Sequence, residues 1–387
     1  IRLLTYTAVA AGSRGLLFQS DSPLDAADAD TVRRAVTLEL LNLELTLIEP
    51  WLKAGDFVTT VEGNRTGGNS EVVGAVLRTD RAHLLLPVWA GHGAQFVPGQ
   101  SAGNSVSFVV RGVPESNDAY LLTPGALEPL RHKRVTGGMR VTLDEFSLTS
   151  LVLLTAEPLV RSSVKRQADA VGPRAAQLQR ELAARKLQAV EPVHHQLAAG
   201  TPANPQSAGW LATTREKIQL CDGALAAGNY PAAYREAQRA MRPLRLLERA
   251  HWESAVGLLP SPVTSPAAVS FATLPYHWKL MGQIASAQTG PNAIEGGDFE
   301  ALETMLRAGW RHFQHPAPGI YAEADLAPEA AHSGHLGLRL VAQPLAPDEP
   351  EILVESPPSW VMSPAVPVRG GELLERTRHR GHGSSLP

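Results

Sequence analysis

Ile1-Arg2-Leu3-Leu4-Thr5-Tyr6-Thr7-Ala8-Val9-Ala10-Ala11-Gly12-Ser13-Arg14-Gly15-Leu16-Leu17-Phe18-Gln19-Ser20-Asp21 reads as a helix that runs through a glycine turn into a short apolar strand at Gly15 to Ser20. Helix, turn and strand make one step of a parallel α/β domain, and such a step cannot bury both its faces alone. The reading therefore expects the same domain to continue ahead of Ile1, where there is neither an initiator methionine nor a leader. The Asp-rich turn from Asp21 to Asp30 offers N-caps for a second helix. Val32, Val36, Leu40, Leu43 and Leu47 give that helix one apolar stripe, and Pro50 is expected to end it. Residues 1–52 thus read as helix, strand, helix.

Working outward, residues 53–160 change to short β-rich runs separated by Gly, Pro, Asn and Asp. Phe57 to Glu62, Val72 to Arg78, His83 to Trp89, Ser105 to Val110, Ala119 to Leu122, Gly138 to Leu143 and Ser150 to Thr155 predict an antiparallel β-sandwich. Residues 161–258 return to helical spacing. Val164, Ala168, Val171, Ala175, Leu178 and Leu182 form a heptad-like seam, with Pro173 and Pro192 expected to kink or divide that helix. A second helix carries Leu211, Ile218, Cys221 and Leu225 on one face. A third carries Tyr234, Ala237, Ala240, Leu244 and Leu247, so the segment reads as a helical hairpin or three-helix unit. A Pro-rich linker spans 259–290, a β-like segment 291–374, and 375–387 read as disordered. The whole is a multidomain α+β chain.

Composition removes several classes of partner. With 35 Lys plus Arg against 38 Asp plus Glu, the net charge of -3 makes no electrostatic case for nucleic acid or an acidic membrane. The longest apolar runs fall far short of the roughly 18 residues of a membrane span. The single Cys221 excludes an intramolecular disulfide framework, which fits a reducing compartment and equally an exported protein. Compartment and oligomeric state stay open.

Tyr6 to Gly12 with Arg14-Gly15-Leu16-Leu17-Phe18, and Leu41-Asn42-Leu43-Glu44-Leu45 ahead of Glu49-Pro50, make residues 1–52 resemble the last helix-strand-helix step of a (β/α)8 (TIM) barrel. The barrels in question belong to retaining glycoside hydrolases related to β-galactosidases. Asp80 to Trp89 and Val135 to Leu143, with Leu151 to Thr155 as closing strand, resemble the antiparallel domain that commonly follows. Asn292 to Glu300, Gly309-Trp310 and His332-Ser333-Gly334-His335-Leu336-Gly337-Leu338-Arg339-Leu340 are similar to the opening of galactose-binding-like jelly rolls that act as carbohydrate-binding modules. The pattern fades after Val368, so a partial jelly roll is expected.

The resemblance implies a fragment of a multidomain glycoside hydrolase acting on a poly- or oligosaccharide. Such enzymes use two carboxyls about 5 to 5.5 Å apart. They lie on the fourth and seventh barrel strands, which this chain does not carry, so it is expected to be inactive alone. Gln19, Ser20 and Asp21, at the end of the last strand, would face the sugar; the competing role is to cap the next helix. Trp360 would stack on a sugar ring, as would Trp310 and Tyr321, against the commoner role of an aromatic in the core. Glu300 would lie near a structural calcium, and no other cofactor is required. The alternative reading is a non-catalytic carbohydrate-binding or cell-surface scaffold protein.

Other motifs carry less. His312-x-x-His315 and His332-x-x-His335 lack the cysteines or acids of a metal site. His194-His195 reads as a solvated helix flank and Asp144-Glu145 as a solvated turn. Neither Gly67-Gly68 nor Gly137-Gly138 continues into a phosphate loop. Asn64-Arg65-Thr66 matches a glycosylation sequon and marks a surface loop. Gly228-Asn229-Tyr230 echoes the helix start of a tetratricopeptide repeat without a second copy.

Overall fold

The computed structural model describes residues 1–19, 23–65, 68–89, 103–199, 204–256, 271–286, 293–346 and 357–366. The chain forms a mixed α+β structure in two compact units, Ile1–Ala285 and Ser286–Pro387. Among the described residues, no helix is long and apolar enough to cross a membrane.

The first unit begins with α1 (Arg2–Ala10), closed by a glycine in the left-handed region. Gly12, at φ 100°, lets its own N–H reach Val9 O at 3.0 Å and that of Ser13 reach Ala8 O at 2.9 Å. This double bond satisfies the orphan carbonyls of the helix end. Of the strand expected at Gly15 to Ser20, residues 15–19 form no strand, and Ser20 lies outside the described residues. Residues 13–19 join no ladder among the described residues and leave Leu17 95 % exposed. In α2 (Ala29–Leu47) the Asp28 carboxylate accepts the Thr31 N–H at 2.9 Å, so an N-cap arises where the Asp-rich turn offered one. Pro50 opens the short α3 (Glu49–Ala54) instead of terminating α2, since a first helical turn has no use for its missing N–H.

The nine strands are β1 (Asp56–Arg65), β2 (Gly68–Thr79), β3 (Ala82–Trp89), β4 (Gly103–Arg111), β5 (Asp118–Thr123), β6 (Ala126–Pro129), β7 (His132–Val135), β8 (Gly138–Phe146) and β9 (Leu151–Thr155). They join in one antiparallel sheet, in the order β6-β5-β9-β3-β2-β1-β4-β8-β7, and not in the two facing sheets of a sandwich. The sheet curls, because its two outermost strands are consecutive in the chain. Leu130 donates to Ala119 O on one edge while Thr142 on the other edge donates to Arg131 O, so the chain passes from ladder to ladder across a single peptide bond.

Curling creates an inside and an outside, and both are dry at the centre. Val76, Leu85, Phe108, Val141 and Val152 fill the inside. Leu77, Leu84, Leu86, Leu151 and Leu153 meet Tyr6, Leu41, Leu47 and Trp51 on the outside. This accounts for the apolar run Leu84 to Trp89 of β3, a strand buried at every residue. β8, with one face toward solvent, alternates instead.

After the sheet come α4 (Pro158–Ala198), α5 (Ser207–Ala226) and α6 (Tyr230–Val256). α4 runs through both Pro173 and Pro192 as one helix. Near the first of these it takes a bond from the sheet, the Gly125 N–H donating to Ala168 O at 2.9 Å. The predicted faces hold: Tyr234, Ala237, Ala240, Leu244 and Leu247 are all at or below 1 % exposure. Part of the expected linker is helical, with a 3-10 turn at Phe271–Thr273 leading into α7 (Leu274–Ser286).

In the second unit, α8 (Leu302–Ala308) precedes β10 (Arg311–Gln314), β11 (Ile320–Ala327), β12 (Gly337–Pro344) and β13 (Ser359–Met362). They form two antiparallel pairs, β10 with β13 and β11 with β12. Phe299-Glu300, at the end of the stretch that resembles a jelly-roll opening, lies in an irregular segment where Phe299 has φ 59°. Part of the β-like segment, residues 347–356, and the tail 375–387 lie outside the described residues.

Candidate functional site

Glu44 stands on the buried side of α2, among Leu40, Leu41 and Leu47, and is 1 % exposed. A carboxylate so placed must be fully hydrogen-bonded. Its Oε1 accepts from Tyr234 Oη at 2.7 Å and pairs with Arg2 Nη1 at 2.8 Å; its Oε2 accepts from Tyr6 Oη at 3.0 Å. Arg2 also donates through Nε to Thr149 Oγ1 at 3.0 Å, and Gln238 Nε2 donates to Tyr234 Oη at 3.1 Å. The network thus gathers α1, α2, α6 and the loop before β9. Burial, reinforced by Glu44, pushes both tyrosines well above the ordinary tyrosine range, so they remain donors. Burial pulls Arg2 down, but Glu44 and the tyrosines outweigh it and its charge is secured.

A cavity of about 580 Å³ opens beside this network, lined by Tyr6, Glu44, Thr149, Tyr234 and Gln238 among others. One face of α6 borders it: Arg235, Arg239, Arg242 and Arg245 recur at steps of four, three and three and all line the cavity. Arg239 is held by both oxygens of Glu145, at 2.7 and 3.0 Å, and by Glu236 at 2.6 Å. Arg245, 9 % exposed, donates through Nη2 to Ser147 Oγ at 2.7 Å, while its buried Nε has no hydrogen-bond partner. Burial pushes Arg245 down to about 10, with Arg2 and Arg242 adding to the effect and Glu248 opposing it. The arrangement can hold a hydroxyl-rich ligand and favours negative charge within it.

The residues singled out in the sequence lie elsewhere. Gln19 is exposed in the unpaired segment 13–19, and Ser20 and Asp21 lie outside the described residues. Trp360, half-buried on β13, stacks on Phe313 of β10 with centroids 5.2 Å apart, and its ring also meets His315 at 4.8 Å. Trp310 donates to Glu295 O at 2.9 Å and packs edge-on against Phe299. Tyr321 is bonded to Glu323. Glu300 Oε1 accepts the backbone N–H groups of His335 and Leu336 at 2.8 and 3.2 Å, bracing the turn that Gly334 makes at φ 83°. Among the described residues no three ligating side chains cluster as a metal site would require.

His194, expected on a solvated flank, is buried and its Nδ1 lies 2.9 Å from Nε2 of His251, while its neighbour His195 remains exposed. Asp144 and Glu145 are exposed as expected, but they stand on β8 and not in a turn, and they pair with Arg131 and Arg239. The sequence reading passed over Glu44 and the arginines of α6. Both left a signal: an acid in step with Leu40 and Leu47, and four arginines at helical spacing. No protein-family model, curated protein or solved structure matches the chain.

Proposed function

We propose that this chain is the accessory, non-catalytic part of a multidomain glycoside hydrolase, and that it engages carbohydrate through the cavity beside Glu44. The lining of that cavity carries the reading. Two tyrosines, a carboxylate, a threonine hydroxyl, a glutamine amide and guanidinium groups converge on one concave space. Sugars are recognised by such sets of directional polar groups around aromatic side chains. The resemblances of residues 1–52, 53–160 and 291–374 to parts of carbohydrate-active enzymes support it from the sequence side. So does Leu16-Leu17-Phe18, an apolar, exposed and unpaired segment of the kind that an adjoining strand covers.

The same geometry argues against hydrolysis by this chain alone. Glu44 receives Arg2, Tyr6 and Tyr234, so its oxygens already serve protein donors. A retaining glycosidase keeps one carboxylate ready to attack and a second as acid about 5 to 5.5 Å away. The test is calorimetric titration of the chain with a panel of neutral and acidic oligosaccharides, alongside hydrolysis of the same panel. Binding weakened by Gln238→Ala, without turnover, is the expected result. Retention of every ligand by Gln238→Ala and Arg239→Met, or no binding at millimolar ligand, overturns the reading. Trp360→Ala, tested in parallel, separates a contribution from the second unit.

A further inference from the structure

We propose that the cavity beside Arg245 is an oxyanion site, which on the carbohydrate reading above receives the carboxylate of a uronic acid or the sulfate of a sulfated sugar. The observation behind it is a buried cation whose charge no acid answers directly. Arg245 is 9 % exposed, and its bond to Ser147 goes to a neutral hydroxyl. Its Nε donor is buried with no partner.

The carboxylates around it are engaged by other cations. Glu44 pairs with Arg2, Glu248 with Lys186 at 2.7 Å, and Glu145 with Arg239. Six cationic side chains line the cavity against three carboxylates, Glu44, Glu128 and Glu145. A buried guanidinium without an anionic partner is a costly arrangement, and a ligand that brings one relieves it. Guanidinium forks suit carboxylate and sulfate alike, through paired N–H donors. The lowered proton affinity of Arg245, set first by burial and then by Arg2 and Arg242 against Glu248, agrees with such a site.

The test begins with inorganic sulfate and the intact chain at low ionic strength. Saturable binding by calorimetry, with a matching rise in melting temperature, is expected. Arg245→Met should weaken it about tenfold, as loss of a charge-assisted bond does, while Arg140→Met, on the exposed side of β8, should not. Arg245→Met is also expected to melt no lower than the parent chain when sulfate is absent, because it removes an unanswered charge. Competition then identifies the group: displacement of sulfate by oligouronides assigns a carboxylate, and displacement by sulfated but not desulfated oligosaccharides assigns a sulfate ester.

No saturable sulfate binding to the parent chain overturns the proposal, whatever the variants do. Neutral sugars bound without sulfate would leave the carbohydrate reading standing and remove this one. Sulfate bound through Arg245 with no sugar competing would do the reverse, keeping the oxyanion site and removing its assignment to a saccharide.

Discussion

Tyr234 donates its hydroxyl to Glu44 at 2.7 Å across 190 residues of chain, and both side chains are at 1 % exposure. The contact joins the third helix of the helical unit to a helix laid down before the first strand. Removing the carboxylate leaves the half-buried Arg2 without its acidic partner and the buried hydroxyls of Tyr6 and Tyr234 without their acceptor, which together costs about 3–5 kcal/mol. Glu44→Ala should lose that much in urea unfolding. Tyr234→Phe, which deletes the bond to a charged acceptor and the one received from Gln238, should lose about 2 kcal/mol. Equal losses for the two variants would mean that Arg2 does not depend on Glu44.

Gly172 on α4 leans directly on Gly125 in the β5–β6 turn. A Cβ on Gly172 would stand 2.7 Å from Gly125 Cα, closer than packing allows. Gly172→Ala must push the turn away from the helix and strain the Gly125 to Ala168 bond. A loss of about 1–3 kcal/mol is expected, as for other overpacked contacts. A melting temperature unchanged by Gly172→Ala would show that the turn gives way freely.

The His194–His251 pair makes stability depend on pH. Burial, then His194, pushes His251 down to about 4, and burial with the help of His195 lowers His194, against a smaller opposing pull from Glu191. Phe271 packs on His251 at 5.8 Å, and the Lys186–Glu248 ion pair links the same two helices, α4 and α6. Both imidazoles are therefore held neutral in the fold, while the unfolded chain protonates them near 6.5. The unfolded state binds more protons between those values, so stability falls as pH drops from about 6.5 toward 4. His251→Phe should flatten that part of the melting profile. A slope that survives the substitution assigns it to other groups.

Arg134, on the edge strand β7, gathers backbone carbonyls. It donates to Pro114 O at 2.6 Å and Asn117 O at 2.8 Å, to Val113 O at 3.4 Å, and to Glu115 O. One guanidinium thus satisfies a loop that has few other partners for its acceptors. Arg134→Met should speed amide exchange across 113–118 by about tenfold while leaving β3 protected, and Arg134→Lys should restore little, having no planar fork. Uniform exchange in the parent and Arg134→Met would remove the role.

Local pattern told which segments are strands and helices, because the burial of each segment repeats along it. Tyr234 to Leu247 and Ala82 to Trp89 lie where apolar spacing puts them. It did not tell which strand pairs with which. β9 meets β3 and β5, and β1 meets β4, through contacts made far along the chain, so seven short β-rich runs fit one curled sheet as well as two facing ones. The short β6 and β7 were hidden because Pro129 ends one and His132-Lys133-Arg134 polarises the other. Gly15 to Ser20 has strand composition, yet a strand forms only where a neighbour supplies the ladder. For the site the limit was similar. Glu44 is polar in a stripe of leucines, and only the arrival of Arg2 and Tyr234 from distant segments makes its burial affordable.

The single peptide bond between Leu130 and Arg131 bears on how this protein meets copies of itself. Open sheets invite growth, since an incoming strand can lengthen the ladder and pass the same invitation on. Here the two terminal strands follow one another through Leu130 and Arg131 and are four residues each, so the sheet offers an incoming strand only two short edges that meet at that link. Edges so short are a poor template for chain-to-chain polymerisation.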